Sequence, residues 1–196
     1  MNLKRSTVQN SGLEVVLINT PPGNEGELGL AALPGREKEF LESFMKSVEY
    51  AKAANCSKIH IMAGNLPDES DETKKICKHV LIGNLKVASE ILTAENMTGT
   101  IEPINKKISC PRYFYSTPEE AFSILQIVAK DNIMYQCDLY HLQIEKGNLS
   151  RFLENNIEKI GHIQIAQVPG RHEPDSDGEI NYDFVFKVLK NSGREA

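Results

Sequence analysis

Short apolar runs alternate along this chain with longer segments whose apolar residues recur every three or four positions. Runs of the first kind fit β-strands, and the second spacing is typical of amphipathic helices. Between Glu37 and Ala54, for example, Phe40, Phe44, Val48 and Ala51 would lie on one helical face. The pattern predicts strands at 13–19, 58–64, 99–105, 133–138 and 162–166, and helices at about 37–54, 70–92, 118–130, 149–157 and 182–191.

The regular alternation of strand and helix predicts right-handed βαβ units around a parallel sheet, in a single α/β domain spanning residues 1–196. An open doubly wound sheet and a (β/α)8 barrel both fit this order. The chain has no GxGxxG after its first strand and no GxxxxGK[ST], which disfavours the usual nucleotide-binding folds. Polar residues at strand ends favour a barrel, although only five strands are recognisable and a barrel has eight.

One helix carries a local start signal. The loop before it ends in Thr117-Pro118-Glu119-Glu120. Thr117 can cap the helix, Pro118 suits the first helical position, and Glu120 can complete a capping box. We therefore expect this helix to begin at Pro118.

Polar, oxygen-bearing residues interrupt three of the apolar strands. Glu102 lies in GTIEPIN, Asp138 closes IMYQCD, and Gln164 lies in HIQIA. Burying such side chains is costly unless they are paired or bound to something. Carboxylate and amide oxygens are hard donors that suit Mg²⁺ or Mn²⁺ better than zinc. The pattern indicates a site assembled at strand ends, but the residues alone also allow Glu102 and Asp138 to cap helices or to pair with Lys or Arg.

Composition and charge narrow the class of protein. The net charge is -5, and the 22 Lys and Arg residues are scattered, which argues against a nucleic-acid partner or an acidic membrane surface. The four cysteines form no CxxC pair, so we expect reduced thiols and no zinc ribbon. The N-terminus has no apolar signal core, and no run of about 18 apolar residues occurs, so we expect a cytoplasmic protein.

Several segments together resemble the hydroxypyruvate isomerase family of xylose isomerase-like TIM barrels. They include GLEVVLINTPPG, YAKAANCSKIHIMAG, IEPIN, QCDLYHLQ and HIQIAQVPGRHEPDSDGEINYDF, and the resemblance runs from about Gly12 to Asn191. It implies a partial (β/α)8 barrel of about five βα units, corresponding to barrel strands 3–7. It also implies interconversion of 3-hydroxypyruvate and 2-hydroxy-3-oxopropanoate (tartronate semialdehyde), assisted by a divalent metal such as Mg²⁺ or Mn²⁺.

The resemblance also assigns roles to residues. Glu102 matches the glutamate of the family's IEPIN, Asp138 the aspartate of DxYH, and Gln164 the glutamine of HxQIA. In the family these three residues bind the metal, and the glutamate is also a catalytic acid/base.

The sequence departs from the family at both ends. The family's second catalytic glutamate, also a metal ligand, lies on the eighth strand in a segment like GxEYKP, which has no counterpart here. The first two barrel strands have none either. We therefore expect a truncated isoform, whose exposed strand edges would favour a homo-oligomer.

Three other residues are candidates for the site. His141 could touch substrate or orient a ligand, and Arg171, with His172 beside it, could bind a substrate carboxylate. A half-buried histidine and a solvated loop charge are the ordinary alternatives. His60 lies within a strand and is expected to be a core or flanking histidine.

The sequence therefore predicts an isomerase of a small hydroxy-oxo acid that transfers a proton through an enediol, with Glu102 as one acid/base. Two alternatives stay open. The first is a catalytically impaired or non-catalytic isoform that acts by interaction. The second is another metal-dependent member of the superfamily, such as a sugar isomerase or epimerase; an abasic-site endonuclease is disfavoured by the acidic charge.

Overall fold

The computed structural model describes residues 12–193. Its sheet consists of five parallel strands, and each strand is hydrogen-bonded to the next strand in sequence. This consecutive order is that of a barrel wall, whereas a doubly wound sheet reverses its strand order. The half-barrel confirms the predicted partial (β/α)8 fold. The strands are β1 (Ile18–Asn19), β2 (Lys58–His60), β3 (Thr98–Ile101), β4 (Ile133–Asp138) and β5 (Ile160–Gln164).

Six α-helices follow the strands along the described part of the chain. Their apolar faces cover the sheet, as the spacing predicts: Phe40, Phe44, Val48 and Ala51 of the first helix are all buried. Burying a phenylalanine of this kind contributes roughly 1.5–3 kcal/mol. The helices are α1 (Glu37–Ala53), α2 (Asp71–Ala94), α3 (Pro118–Val128), α4 (Leu139–Glu145), α5 (Leu149–Asn156) and α6 (Tyr182–Asn191), with a 3₁₀ turn at Ile157–Lys159.

The capping prediction for α3 is confirmed. The Thr117 hydroxyl accepts a hydrogen bond from the Glu120 amide, and the Glu120 carboxylate accepts one from the Thr117 amide at 3.0 Å. Pro118 occupies the first turn, as expected.

Strand β1 is much shorter than the predicted run from Leu13 to Asn19. Its pairing is limited to Ile18 with Ile59 and Asn19 with His60, and within the described residues β2 is its only neighbour. Leu13 and Val16 are exposed. A strand needs the backbone of a partner, and an apolar pattern does not report whether that partner is present.

Helix α4 is absent from the sequence prediction. It begins immediately after β4, because Asp138 both ends the strand and serves as the N-cap of the helix. This direct transition places the first turn of α4 at the carboxyl edge of the sheet.

Two smaller expectations can be compared with the structure. Within the described residues, Cys56, Cys77, Cys110 and Cys137 form no disulfide bond. Among residues 12–193, no helix has the length and apolar character that crossing a bilayer requires. The single domain over residues 1–196 stays a prediction, since residues 1–11 and 194–196 lie outside the described part.

Candidate functional site

The three oxygen-bearing residues predicted from the strands lie at one edge of the sheet. Glu102 directly follows β3, while Asp138 and Gln164 are the last residues of β4 and β5 and are paired across these strands. All five strands are parallel, so their carboxyl ends share this edge. In (β/α)8 barrels this is the face that carries the active site.

Glu102 is a buried acid whose pKa is raised. Only 5% of the residue is exposed, and its Oε1 is buried without a hydrogen-bond partner among the described residues. Burial raises the pKa of Glu102 to about 8, and the nearby Asp138 carboxylate acts in the same direction. A buried carboxylate oxygen left without a donor is costly, so this position is suited to bind a cation or a substrate proton.

Asp138 uses its two oxygens for different purposes. Oδ1 accepts the backbone amides of Tyr140 at 2.8 Å and His141 at 3.3 Å, and so caps α4. Oδ2 lies 3.0 Å from Nη2 of Arg171 and 3.7 Å from Nε2 of His141. Only Oδ2 therefore faces the site.

His141 lies between the two acids. Its Nε2 is 4.0 Å from Oε1 of Glu102, and its ring is buried. Its Nδ1 contacts Nδ2 of Asn105 at 2.6 Å and the Asn105 backbone nitrogen at 3.3 Å. Burial lowers the pKa of His141 to about 4, so the ring is neutral at physiological pH.

His60 is buried, as the sequence suggests, but it is also part of the site. Its Nδ1 lies 3.2 Å from Oδ1 of Asn19 and 3.5 Å from Oε2 of Glu102. Burial lowers the pKa of His60 to about 3, so the neutral ring adds no charge beside Glu102.

Gln164 is reached through a chain of side-chain hydrogen bonds across three strands. The Thr100 hydroxyl donates to Oε1 of Gln136 at 2.7 Å, and Nε2 of Gln136 donates to Oε1 of Gln164 at 2.9 Å. Thr100 and Gln136 are both buried, whereas Gln164 is half-buried. A carbonyl oxygen has two lone pairs, so Oε1 of Gln164 can still accept a second partner.

The loop after β5 places its two candidates differently. Arg171 reaches back to Asp138, and its guanidinium lies 4.9 Å from the centre of the Tyr140 ring. Its side chain is 48% exposed and so accessible to a ligand. His172 is exposed, and its backbone carbonyl accepts the amide of Gln167 at 2.9 Å.

The residues present fit a divalent metal. Glu102, Asp138 and His141 each offer one possible ligand atom, and these atoms lie within 4.8 Å of one another. Two buried carboxylates repel each other. Oε1 of Glu102 has no hydrogen-bond partner in the described part of the chain, and a cation beside it would relieve both the repulsion and the burial cost. The donor set is therefore compatible with a metal, without selecting which one.

Three residues that shape this site are not predicted to do so from the sequence: Asn105, Gln136 and His60. Gln136 lies two positions before Asp138 in β4, so the alternation of side chains along a strand puts both on the same face. This spacing is the sequence signal that points to Gln136. Asn105 follows Glu102 by three residues in a loop, where spacing carries no such information.

A parallel half-barrel with buried acids at its carboxyl edge defines the class as a TIM-barrel protein with an enzyme-type site. Comparison with known proteins agrees. The family model described as xylose isomerase-like TIM barrel matches residues 2–195. A Danio rerio protein named "Putative hydroxypyruvate isomerase" is 47% identical over 190 residues, which cover 95% of this chain and 69% of that protein.

Two further relatives extend the comparison. A Cupriavidus necator protein named 2-oxo-tetronate isomerase is 40% identical, with 96% of this chain and 72% of that protein covered. The crystal structure of an AP endonuclease, family 2, from Brucella melitensis matches with a TM-score of 0.90 and 37% identity, over 96% of this chain and 72% of that one. The chain belongs to the xylose isomerase-like TIM barrel family, and its named relatives support an isomerase of that family.

Proposed function

We propose that this chain interconverts 3-hydroxypyruvate and 2-hydroxy-3-oxopropanoate. The observation that carries the proposal is the buried Glu102, whose Oε1 lacks a partner among the described residues and faces His141. Relatives named as hydroxypyruvate and 2-oxo-tetronate isomerases support the same class of substrate, a small 2-oxo acid.

Glu102 acts as the acid/base in this proposal. Its carboxylate takes a proton from the carbon that bears the hydroxyl group, and the electron pair left behind forms an enediolate with the neighbouring carbonyl carbon. A proton returned to that second carbon, with exchange of the hydroxyl proton between the two oxygens, completes the isomerisation. The surroundings that raise the pKa of Glu102 make it a stronger base than an exposed carboxylate.

Glu102, Asp138 and Gln164 would hold a divalent metal, either Mg²⁺ or Mn²⁺. When bound, such an ion supplies electrostatic stabilisation for the negative charge that develops on the enediolate oxygens. The three side chains come from the ends of adjacent strands, and each has an oxygen that can still accept a partner.

Arg171, His172 and His141 bind the substrate in this proposal. The planar guanidinium of Arg171 can take a carboxylate through two parallel hydrogen bonds, and its exposed side chain lies over Tyr140 at the edge of the site. His172 follows it in the same loop. The proposal also includes a small acid as the substrate and a cytoplasmic location for the protein.

Turnover of 3-hydroxypyruvate by the metal-supplemented chain in D₂O tests this function. NMR should show the aldehyde product with solvent deuterium at the carbon that is reprotonated. Glu102→Gln should lower kcat by about 10²–10⁴-fold, since the base is lost while the shape is kept. Glu90→Gln, at an exposed position of α2, is the matched control and should behave as the wild type.

The outcomes separate the alternatives. A folded, metal-supplemented wild-type chain that gives neither product nor deuterium incorporation would contradict the proposal and favour a non-catalytic isoform. Including four-carbon 2-oxo acids, ketohexoses and abasic-site DNA in the panel would reveal a different member of the superfamily.

A further inference from the structure

The side-chain amide of Asn105 has one fixed orientation. Its Oδ1 accepts the backbone amides of Ile108 and Ser109, both at 3.0 Å. A carbonyl oxygen can accept both bonds, whereas an NH₂ group turned into this position would face two donors. Asn105 is fully buried, so water cannot replace these bonds. The NH₂ group must therefore point the other way.

The two protons of that NH₂ group both have acceptors. One goes to Oγ of Ser109 at 3.0 Å and the other to Nδ1 of His141 at 2.6 Å. The backbone amide of Asn105 points at the same Nδ1 from 3.3 Å. His141 Nδ1 thus receives two N–H donors and must present a lone pair. A proton on Nδ1, in either the neutral or the charged ring, would collide with both donors.

The position of the remaining proton follows directly. A neutral imidazole whose Nδ1 accepts carries its proton on Nε2. Nε2 faces Oδ2 of Asp138 at 3.7 Å and Oε1 of Glu102 at 4.0 Å. Both distances exceed an ordinary hydrogen bond, so the N–H points into the space between the acids.

We propose that Asn105 is a positioning residue that holds the proton of His141 on Nε2, so that His141 donates a hydrogen bond to a substrate oxygen and does not bind the metal. A metal ligand must offer a lone pair. In this neutral ring the one lone pair that could bind a metal is on Nδ1, where it already accepts the N–H groups of Asn105. The donor role in turnover rests on the function proposed above, but the position of the proton does not.

The proton position is measured without substrate or metal. In the wild-type chain, long-range ¹H–¹⁵N correlations of His141 at pH 7 should show a protonated Nε2 and a bare Nδ1. A protonated Nδ1 in the wild type would overturn the inference, whatever the activity of the chain.

Asn105→Asp provides an isosteric variant. One oxygen of the new carboxylate keeps the bonds to Ile108 and Ser109, while the other faces His141 and draws the proton to Nδ1. The ¹⁵N signals should exchange their character. If the wild type is active, kcat should fall by about 10²–10³-fold, which is typical for the loss of one donor at a developing oxyanion. Mn²⁺ affinity should not weaken, since Nε2 now carries a lone pair.

Asn132→Asp is the matched control, because Asn132 is also hydrogen-bonded through its side chain but lies in the turn before β4, away from the site. It should leave the His141 signals and kcat unchanged. A merely structural role for Asn105 predicts a lower melting temperature with Nε2 still protonated in Asn105→Asp, and that result would refute the proposal. An inactive wild type with protonated Nε2 would reject the proposed isomerase function and leave the assignment of the proton intact.

Discussion

Individual residues of the site link protonation to folding in opposite directions. Glu102 has a raised pKa, so between about pH 4.5 and 8 it holds a proton when folded and loses it when unfolded. Its contribution to stability therefore falls as pH rises through this range. His60 and His141 have lowered pKa values, so the unfolded chain binds their protons below about pH 6.5, and stability rises with pH up to that point.

The metal-free chain should accordingly be most stable near pH 6.5. Each group changes the free energy of unfolding by about 1.4 kcal/mol per pH unit within its range. Below pH 6.5 the effect of the two histidines on stability exceeds that of Glu102. Above pH 6.5 only Glu102 of these three groups still titrates, so we expect the free energy of unfolding to fall by about 1–2 kcal/mol by pH 8. Urea unfolding in EDTA at pH 5.5, 6.5 and 8 measures this. Glu102→Gln should remove the decline, and stability that keeps rising to pH 8 in the wild type would contradict the prediction.

For single helices and strands, the sequence predicts the features that depend on contacts between nearby residues. The Thr117–Glu120 capping box places the start of α3 within the sequence itself, because all its bonds join residues three apart or closer. The bounds of β4 at Ile133 and Asp138 are likewise as predicted. The length of β1 is not, since it depends on a partner strand 41 residues away, at His60.

The site shows the same division. Glu102, Asp138 and Gln164 could be named because polar residues stand out in apolar strands and match a family motif. Asn105 could not, because its importance lies in a contact with His141 from another element. Gln136 shows only its alternation with Asp138, since its contact with Gln164 joins two different strands. Helix α4 has no separate start signal in the sequence, since its cap, Asp138, is also the end of a strand.

The cap of α3 gives a prediction at this scale. Thr117→Ala removes the hydroxyl that accepts the Glu120 amide and should destabilise the chain by about 1 kcal/mol. Thermal unfolding measures the change, with Ser116→Ala as a neighbour that leaves the cap in place. Equal stability of the two variants would show that the capping bond contributes nothing.

Across the whole molecule, the sheet couples positions that are far apart in sequence. The Thr100–Gln136–Gln164 chain joins three strands and ends on a proposed metal ligand. Hydrogen-bonding partners of this kind orient a ligand, and their loss typically weakens metal affinity about 10–100-fold.

Gln136→Met keeps the volume of the side chain but removes its donor to Gln164. We expect Mn²⁺ binding, measured by electron paramagnetic resonance, to weaken by at least about tenfold. Gln126→Met, at an exposed position of α3, should bind as the wild type does. Unchanged affinity in Gln136→Met would separate this hydrogen-bonded chain from the metal site.

The divided carboxylate of Asp138 has a practical consequence. Its Oδ1 accepts the backbone amides of Tyr140 and His141, while Oδ2 faces the site. A ligand that binds Oδ2 should therefore also change the hydrogen bonds of Oδ1. The backbone amide NMR resonances of Tyr140 and His141 should therefore report whether a ligand is bound at Asp138. A titration of any candidate ion or acid could be followed there directly, with no assay, dye or knowledge of the reaction.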